Sequence, residues 1–205
     1  MKKHILLAFI LFYLDSYGQS AAILIQQGIQ SNQLTFESSE GILTAKTISF
    51  CPGLGLKLQH GSALSSTWTL SRNEAFDHQL VGETFNYTFH FNELDGLLHA
   101  KLFGGLSLHC GGKVSMLSEA RQSVDNFSID LTQGALARTG YGVQVGLGWD
   151  SGKDLPVSLQ TRLTYQQGLT NFEHDAGQSL KFSGIFASAT LIYTPVITKM
   201  KKNAP

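Results

Sequence analysis

The stretch Thr139-Gly140-Tyr141-Gly142-Val143-Gln144-Val145-Gly146-Leu147-Gly148-Trp149 decides how this chain is read. From Tyr141 every second residue is apolar (Tyr141, Val143, Val145, Leu147, Trp149), and the residues between are small or polar. After a turn over 150–154 the pattern returns as Val157, Leu159, Thr161, Leu163, Tyr165, set against Ser158, Gln160, Arg162, Thr164, Gln166. Period-two alternation on both sides of a Gly-containing turn specifies a β-hairpin. The first apolar set is bounded by Tyr141 and Trp149 and the second ends on Tyr165, which suits strands facing lipid with aromatic ends at the membrane surfaces. The expectation is an all-β, eight-stranded antiparallel up-and-down transmembrane β-barrel.

Strand length agrees with that expectation. Tyr141 to Trp149 covers about 26 Å at ~3.3 Å per residue, or about 20 Å along a tilted barrel axis. The apolar band of such barrels is ~25 Å tall. Tyr141 and Tyr165 are expected at one membrane-interface girdle, Trp149 and Tyr193 at the other.

Composition fits the same picture. The chain has 205 residues, 15% of them charged, with no net charge and 21 glycines. No basic excess points to nucleic acid. A mean hydropathy near zero is out of place in a helical membrane protein but suits strands that face lipid on one side and a polar interior on the other. Residues 1–20 read as a secretory signal peptide: Met1-Lys2-Lys3-His4 is positive, Ile5 to Leu14 apolar, and small residues follow at Gly18 to Ala21. The apolar run is too short for a spanning helix, which needs about 18 residues; an uncleaved anchor is the alternative. Residues 21–195 form the barrel, and 196–205 a short basic C-terminal tail with Lys199, Lys201 and Lys202. The expected address is the outer membrane of a Gram-negative cell.

Six further strands are expected. They are Ala22 to Gln30, Thr47 to Gln59, Ser65 to Arg72, Glu83 to Asn92, Leu97 to Cys110 and Phe182 to Thr194. Pro52 lacks a ladder donor and marks a strand end, an edge-like site or a bulge. Asp95-Gly96 is a favoured two-residue hairpin turn. Placed there, it sets Phe85, Tyr87, Phe89 and Phe91 outward and His90 inward, with His90 opposite Lys101. Short connections at 59–64, 93–96 and 150–154 alternate with longer ones at 31–46, 73–82, 111–138 and 167–181, as an up-and-down barrel requires. Strand parity sets Cys51 inward and Cys110 outward, which argues against a disulfide between them.

The run Gly142 to Trp149, the short turn, and Val157 to Asn171, ending Tyr165-Gln166-Gln167-Gly168-Leu169-Thr170-Asn171, resembles the PorT-like outer-membrane β-barrel family. The resemblance covers about residues 97–195. It implies an eight-stranded barrel and a link, in some members, to secretion machinery. The tail after Tyr193 departs from members that stop at a terminal aromatic.

The sequence offers little chemistry. His99 and His109 would lie about 33 Å apart on one extended strand, too far to share a metal. Ser107 beside His109 is a weak nucleophile-and-base pair. The expectation is no catalytic residue, no cofactor and no metal, and a polar lumen network containing Lys57, His90, Lys101 and Arg162. The function expected is that of a non-enzymatic barrel in envelope structure, adhesion or a secretion complex, with external loops as its contact surface. Its expected partners are outer-membrane lipid, the barrel-assembly machinery and an envelope or secretion protein, with no nucleic acid. The alternatives are a narrow channel or small hydrophobic-molecule conduit, and a soluble periplasmic lipocalin-like binding barrel with its apolar set inside.

Overall fold

The computed structural model describes residues 20–38, 41–76, 85–124, 127–130, 139–151, 156–170, 172–174 and 178–195. The signal-peptide and basic-tail expectations lie outside these residues. Among the described residues there are ten strands: β1 (Ser20–Ser38), β2 (Gly41–Gln59), β3 (Leu64–Phe76), β4 (Phe85–Lys101), β5 (Leu106–Val124), β6 (Phe127–Asp130), β7 (Thr139–Asp150), β8 (Val157–Gly168), β9 (Phe172–His174) and β10 (Gln178–Tyr193). β6 and β9 are short additions to β5 and β10. The other eight form an antiparallel sheet in the order β1-β2-β3-β4-β5-β7-β8-β10, closed by β1 against β10 from Ile23↔Tyr193 to Glu37↔Ser179. Closure leaves no barrel strand with an unpaired edge.

The alternation around Tyr141 explains which face is which. Tyr141, Leu147 and Leu163 are 52%, 49% and 58% exposed, whereas Gln144, Arg162 and Thr164 are buried. An apolar exterior around a polar interior inverts a water-soluble barrel, and it rules out the lipocalin-like arrangement. Outward-facing apolar residues occur on every barrel strand, among them Ile25, Leu54, Leu70, Leu98, Leu108, Val145, Leu159 and Leu191.

The end of the barrel that holds Ser20 and Tyr193 also carries the short connections, 60–63, 102–105 and the one following Asp150; we call it the turn end, and its opposite the loop end. The expected turn at Asp95-Gly96 is corrected. β4 runs unbroken through both residues, and the chain reverses instead at 102–105, where Gly104 (φ 56°) and Gly105 (φ 88°) adopt the left-handed backbone that glycine tolerates. Gly96 is held in the strand as a seat for an aromatic ring. It faces Trp68 on β3, and a Cβ there would lie 3.0 Å from the ring. Asp95 points inward and accepts a hydrogen bond from Gln144 Nε2.

This correction reverses half of the expected β4 parity. Phe89 and Phe91 are 3% and 4% exposed and face the lumen, with the Phe91 ring edge-on to Phe182 at 5.2 Å. The first two strands also run further than expected, and β5 absorbs much of the expected 111–138 loop, including Met116, Glu119 and Arg121. At Pro52 the β2–β3 ladder lapses over residues 51–52 and resumes at Phe50↔Glu74 in the same register. Pro52 therefore interrupts the pairing without ending the strand or adding a residue.

Candidate lumen site

The inward positions build a barrier across the middle of the barrel. Glu93 on β4 forms an ion pair with Lys113 on β5 (2.7 Å) and accepts hydrogen bonds from Asn73 Nδ2 on β3 and Ser115 Oγ (each 3.2 Å). Lys113 Nζ also donates to Gln166 Oε1 on β8 (2.8 Å). Gln166 accepts from Gln30 Nε2 on β1 (3.0 Å), and Gln30 Oε1 accepts from Asn73 Nδ2 (3.3 Å). The chain of contacts Asn73, Glu93, Lys113, Gln166, Gln30 and back to Asn73 is a closed ring drawn from five strands. All five side chains are buried. An eight-stranded barrel is just wide enough for side chains to fill it, and this ring fills it.

The ring separates two vestibules. Above it, toward the loop end, a hollow with roughly 550 Å³ of free space, mouth included, is walled by Phe91, Phe182, Gly142, Gly168 and Gly184 and floored by the ring itself. Toward the turn end, a wider opening with roughly 1120 Å³ of free space is framed by Lys57, Lys101, Asp150 and Gln59.

Of the expected lumen residues, Arg162 lies inside, 5% exposed. Lys57 points inward at the turn end and pairs with Asp150 (3.2 Å). Lys101 lines the same opening. His90 does not belong to the lumen, which corrects its expected place. Because Phe89 and Phe91 take the inward positions, His90 turns outward, where its Nδ1 lies 3.3 Å from Arg72 Nη2 and 3.6 Å from Glu74 Oε1. Tyr141, Trp149, Tyr165 and Tyr193 all point outward, each about half exposed. Tyr141 and Tyr165 stand nearer the loop end, Trp149 and Tyr193 nearer the turn end.

His99 and His109 are not 33 Å apart. The turn at 102–105 makes them direct cross-strand partners, their ring centroids 5.3 Å apart. Thr67 holds one ring (2.9 Å to His99 Nε2) and Thr164 the other (2.8 Å to His109 Nε2). Gly146 keeps this arrangement open, since a Cβ there would lie 2.7 Å from His109 Nε2 and 2.1 Å from the Leu163 carbonyl oxygen. Ser107 Oγ donates to the Gly148 carbonyl (3.3 Å) rather than to His109, so the nucleophile-and-base pairing is not formed. Among the described residues no three His, Cys, Asp or Glu side chains converge as a metal site would require. Cys51 is buried, Cys110 exposed on the outer face, and both are free thiols.

Glu93, Asp95 and Lys113 were missed in the sequence because the Asp95-Gly96 turn signal removed the first two from any strand and placed Lys113 beyond one. The signal that finds them is alternation carried straight through: Leu94, Gly96 and Leu98 against Glu93, Asp95 and Leu97, then Val114 and Met116 against Lys113 and Ser115.

No protein-family profile matches the chain, and no curated protein matches it. Among solved structures the chain is similar to Neisserial surface protein A at 12% identity and a TM-score of 0.54, covering 85% of this chain and 99% of that one. It is also similar to the attachment invasion locus protein Ail of Yersinia pestis at 12% identity and a TM-score of 0.46, covering 83% and 98%. The first likeness shows a shared fold: the eight-stranded antiparallel barrel.

Proposed function

We propose that this protein is a non-enzymatic, non-conducting barrel of the Gram-negative outer membrane whose work is done at the loop end, as an adhesion or secretion-complex contact. The observation that carries this reading is the closed ring of Asn73, Glu93, Lys113, Gln166 and Gln30, which bars the lumen while the outer wall of β3, β4 and β5 turns polar toward the loop end. There Arg72, Glu74 and His90 cluster, and Arg121 pairs with Glu119. The apolar outer face with its aromatic ends supports insertion by the barrel-assembly machinery into lipid, with the turn end in the periplasm. The resemblance to PorT-like proteins supports the secretion-complex version.

Photo-cross-linking in cells tests the reading. A photoreactive residue in place of Arg121 should yield protein adducts, and one at Ser62, at the turn end, should not. Adducts confined to Ser62, or stepwise conductance of the wild type in planar bilayers, would refute it. The loop-end hollow favours a second reading, binding of a small hydrophobic molecule against Phe91 and Phe182. Protection of the barrel against thermal unfolding by a medium-chain alkane or fatty alcohol, lost in Phe91→Ser, is the corresponding test.

A further inference from the structure

The inward-pointing charges do not cancel in contact. Lys57 pairs with Asp150, Lys113 pairs with Glu93, and Asp95 is turned to Gln144. Arg162 is 5% exposed, makes neither an ion pair nor a hydrogen bond among the described residues, and its Nε is unpartnered. Asp95 and Asp150 attract this guanidinium only from beyond contact distance, and a buried guanidinium with no anion or acceptor in contact is costly, because its lost hydration is not replaced at hydrogen-bond range.

Its neighbours share the condition. Ser188 on β10 is the ladder partner of Arg162, and Thr190, two residues on, is the partner of both Gln160 on β8 and Gln26 on β1. The hydroxyls of Ser188 and Thr190 and the amide oxygens of Gln160 and Gln26 are all buried and unpartnered. They form one contiguous patch on the inner wall of β8, β10 and β1, all 7% exposed or less. Gly148 makes room for the Arg162 side chain itself, since a Cβ there would lie 3.4 Å from Arg162 Cγ and 3.0 Å from Ser107 Oγ. On the turn-end side the patch is bordered by Leu24 and Ile192, ladder partners in contact with Ala22.

We propose that this patch is an occluded binding site for a small monovalent inorganic anion of halide size, held by the Arg162 guanidinium and the Ser188 and Thr190 hydroxyls. Two freely rotating hydroxyls can turn their protons toward an anion, and charge-assisted donors of this kind hold one more strongly than neutral donors do. The amide groups of Gln160 and Gln26 can present their NH2 ends to the same ion, since each amide can rotate. At the turn-end opening Lys101 stands beside the Lys57–Asp150 pair, so the mouth nearest the patch carries a net positive charge that favours anions. The ion completes the interior instead of passing through it, because the Asn73-to-Gln30 ring bars the way onward. This role does not depend on what the loop end contacts.

The test uses the full chain purified in detergent, with chloride or bromide exchanged for gluconate at constant ionic strength. The thermal midpoint should rise with halide concentration and saturate, as for any ligand that binds only the folded state. Arg162→Met should abolish the rise. Ser188→Ala with Thr190→Val, which leaves the charge in place and serves if Arg162→Met does not fold, should weaken halide binding about tenfold or more. Crystals grown in bromide should show anomalous density within hydrogen-bond reach of Arg162. A halide-independent wild type, the same halide response in the Ser188/Thr190 variant, or an adventitious ion only, with bromide confined to the surface, would overturn the proposal.

Discussion

Replacing Lys113 by methionine is the sharpest probe of the lumen ring. Methionine keeps the length of the side chain but removes the charge. Glu93, 4% exposed, then retains Asn73 and Ser115 on Oε1 and has nothing on Oε2, which now faces Lys113 Nζ at 2.7 Å. Gln166 also loses its 2.8 Å donor. Removing one partner of a buried ion pair costs about 3–5 kcal/mol. The two hydrogen bonds left on Glu93 place the expected loss near the lower figure, about 3 kcal/mol. In a domain of this size that lowers the thermal midpoint by about 6–12 °C. Glu93→Gln added to Lys113→Met removes the stranded charge, so the double variant should recover most of the loss, with a coupling of about 2 kcal/mol or more. Urea unfolding in detergent, followed by Trp68 and Trp149 emission, measures both variants. Lys113→Met within about 0.5 kcal/mol of wild type, or a double variant less stable than both singles, would refute the reasoning.

Gly146→Val should abolish folding, since its Cβ would meet the Leu163 carbonyl at 2.1 Å; loss of the heat-modifiable band on gels reports it. Leu163→Arg, on the outer face, should cost about 2–4 kcal/mol, the depth-dependent price of a cation near the bilayer midplane, whereas Leu163→Val should cost little; equal stabilities in lipid vesicles would count against the outward assignment. Cys51 and Cys110 are free thiols on opposite faces of the wall. Migration should therefore be identical with and without reductant, and a reductant-sensitive monomer band would contradict the parity.

The strands that could be read directly were those where alternation stood without a competing signal. β7 and β8 lie where Tyr141 to Gln166 placed them, and the outward sets of β1, β2 and β3 keep the expected parity through Ile23, Leu54 and Trp68. β4 failed because Asp95-Gly96 carries the local chemistry of a turn while its tertiary setting makes it strand: Trp68 covers the glycine and Gln144 satisfies the aspartate. That single displacement hid the ring, since Glu93 and Lys113 become inward partners only when the reversal falls at 102–105. It also separated His99 from His109 on paper. Local propensity cannot register a cover supplied by residues 28 and 49 positions away in sequence, which is what Trp68 and Gln144 are to Gly96 and Asp95.

The seam between β1 and β10 joins residues some 150 positions apart, Ile23 with Tyr193 and Glu37 with Ser179. Both margins of the growing sheet therefore wait for the final strand, and a nascent chain halted before Gln178 would offer two rows of bare amides and carbonyls that hydrocarbon cannot solvate. Such a chain has no half-built resting state in a bilayer. Insertion into hydrocarbon and the pairing of β10 with β1 are therefore one coupled event, and neither can be completed without the other.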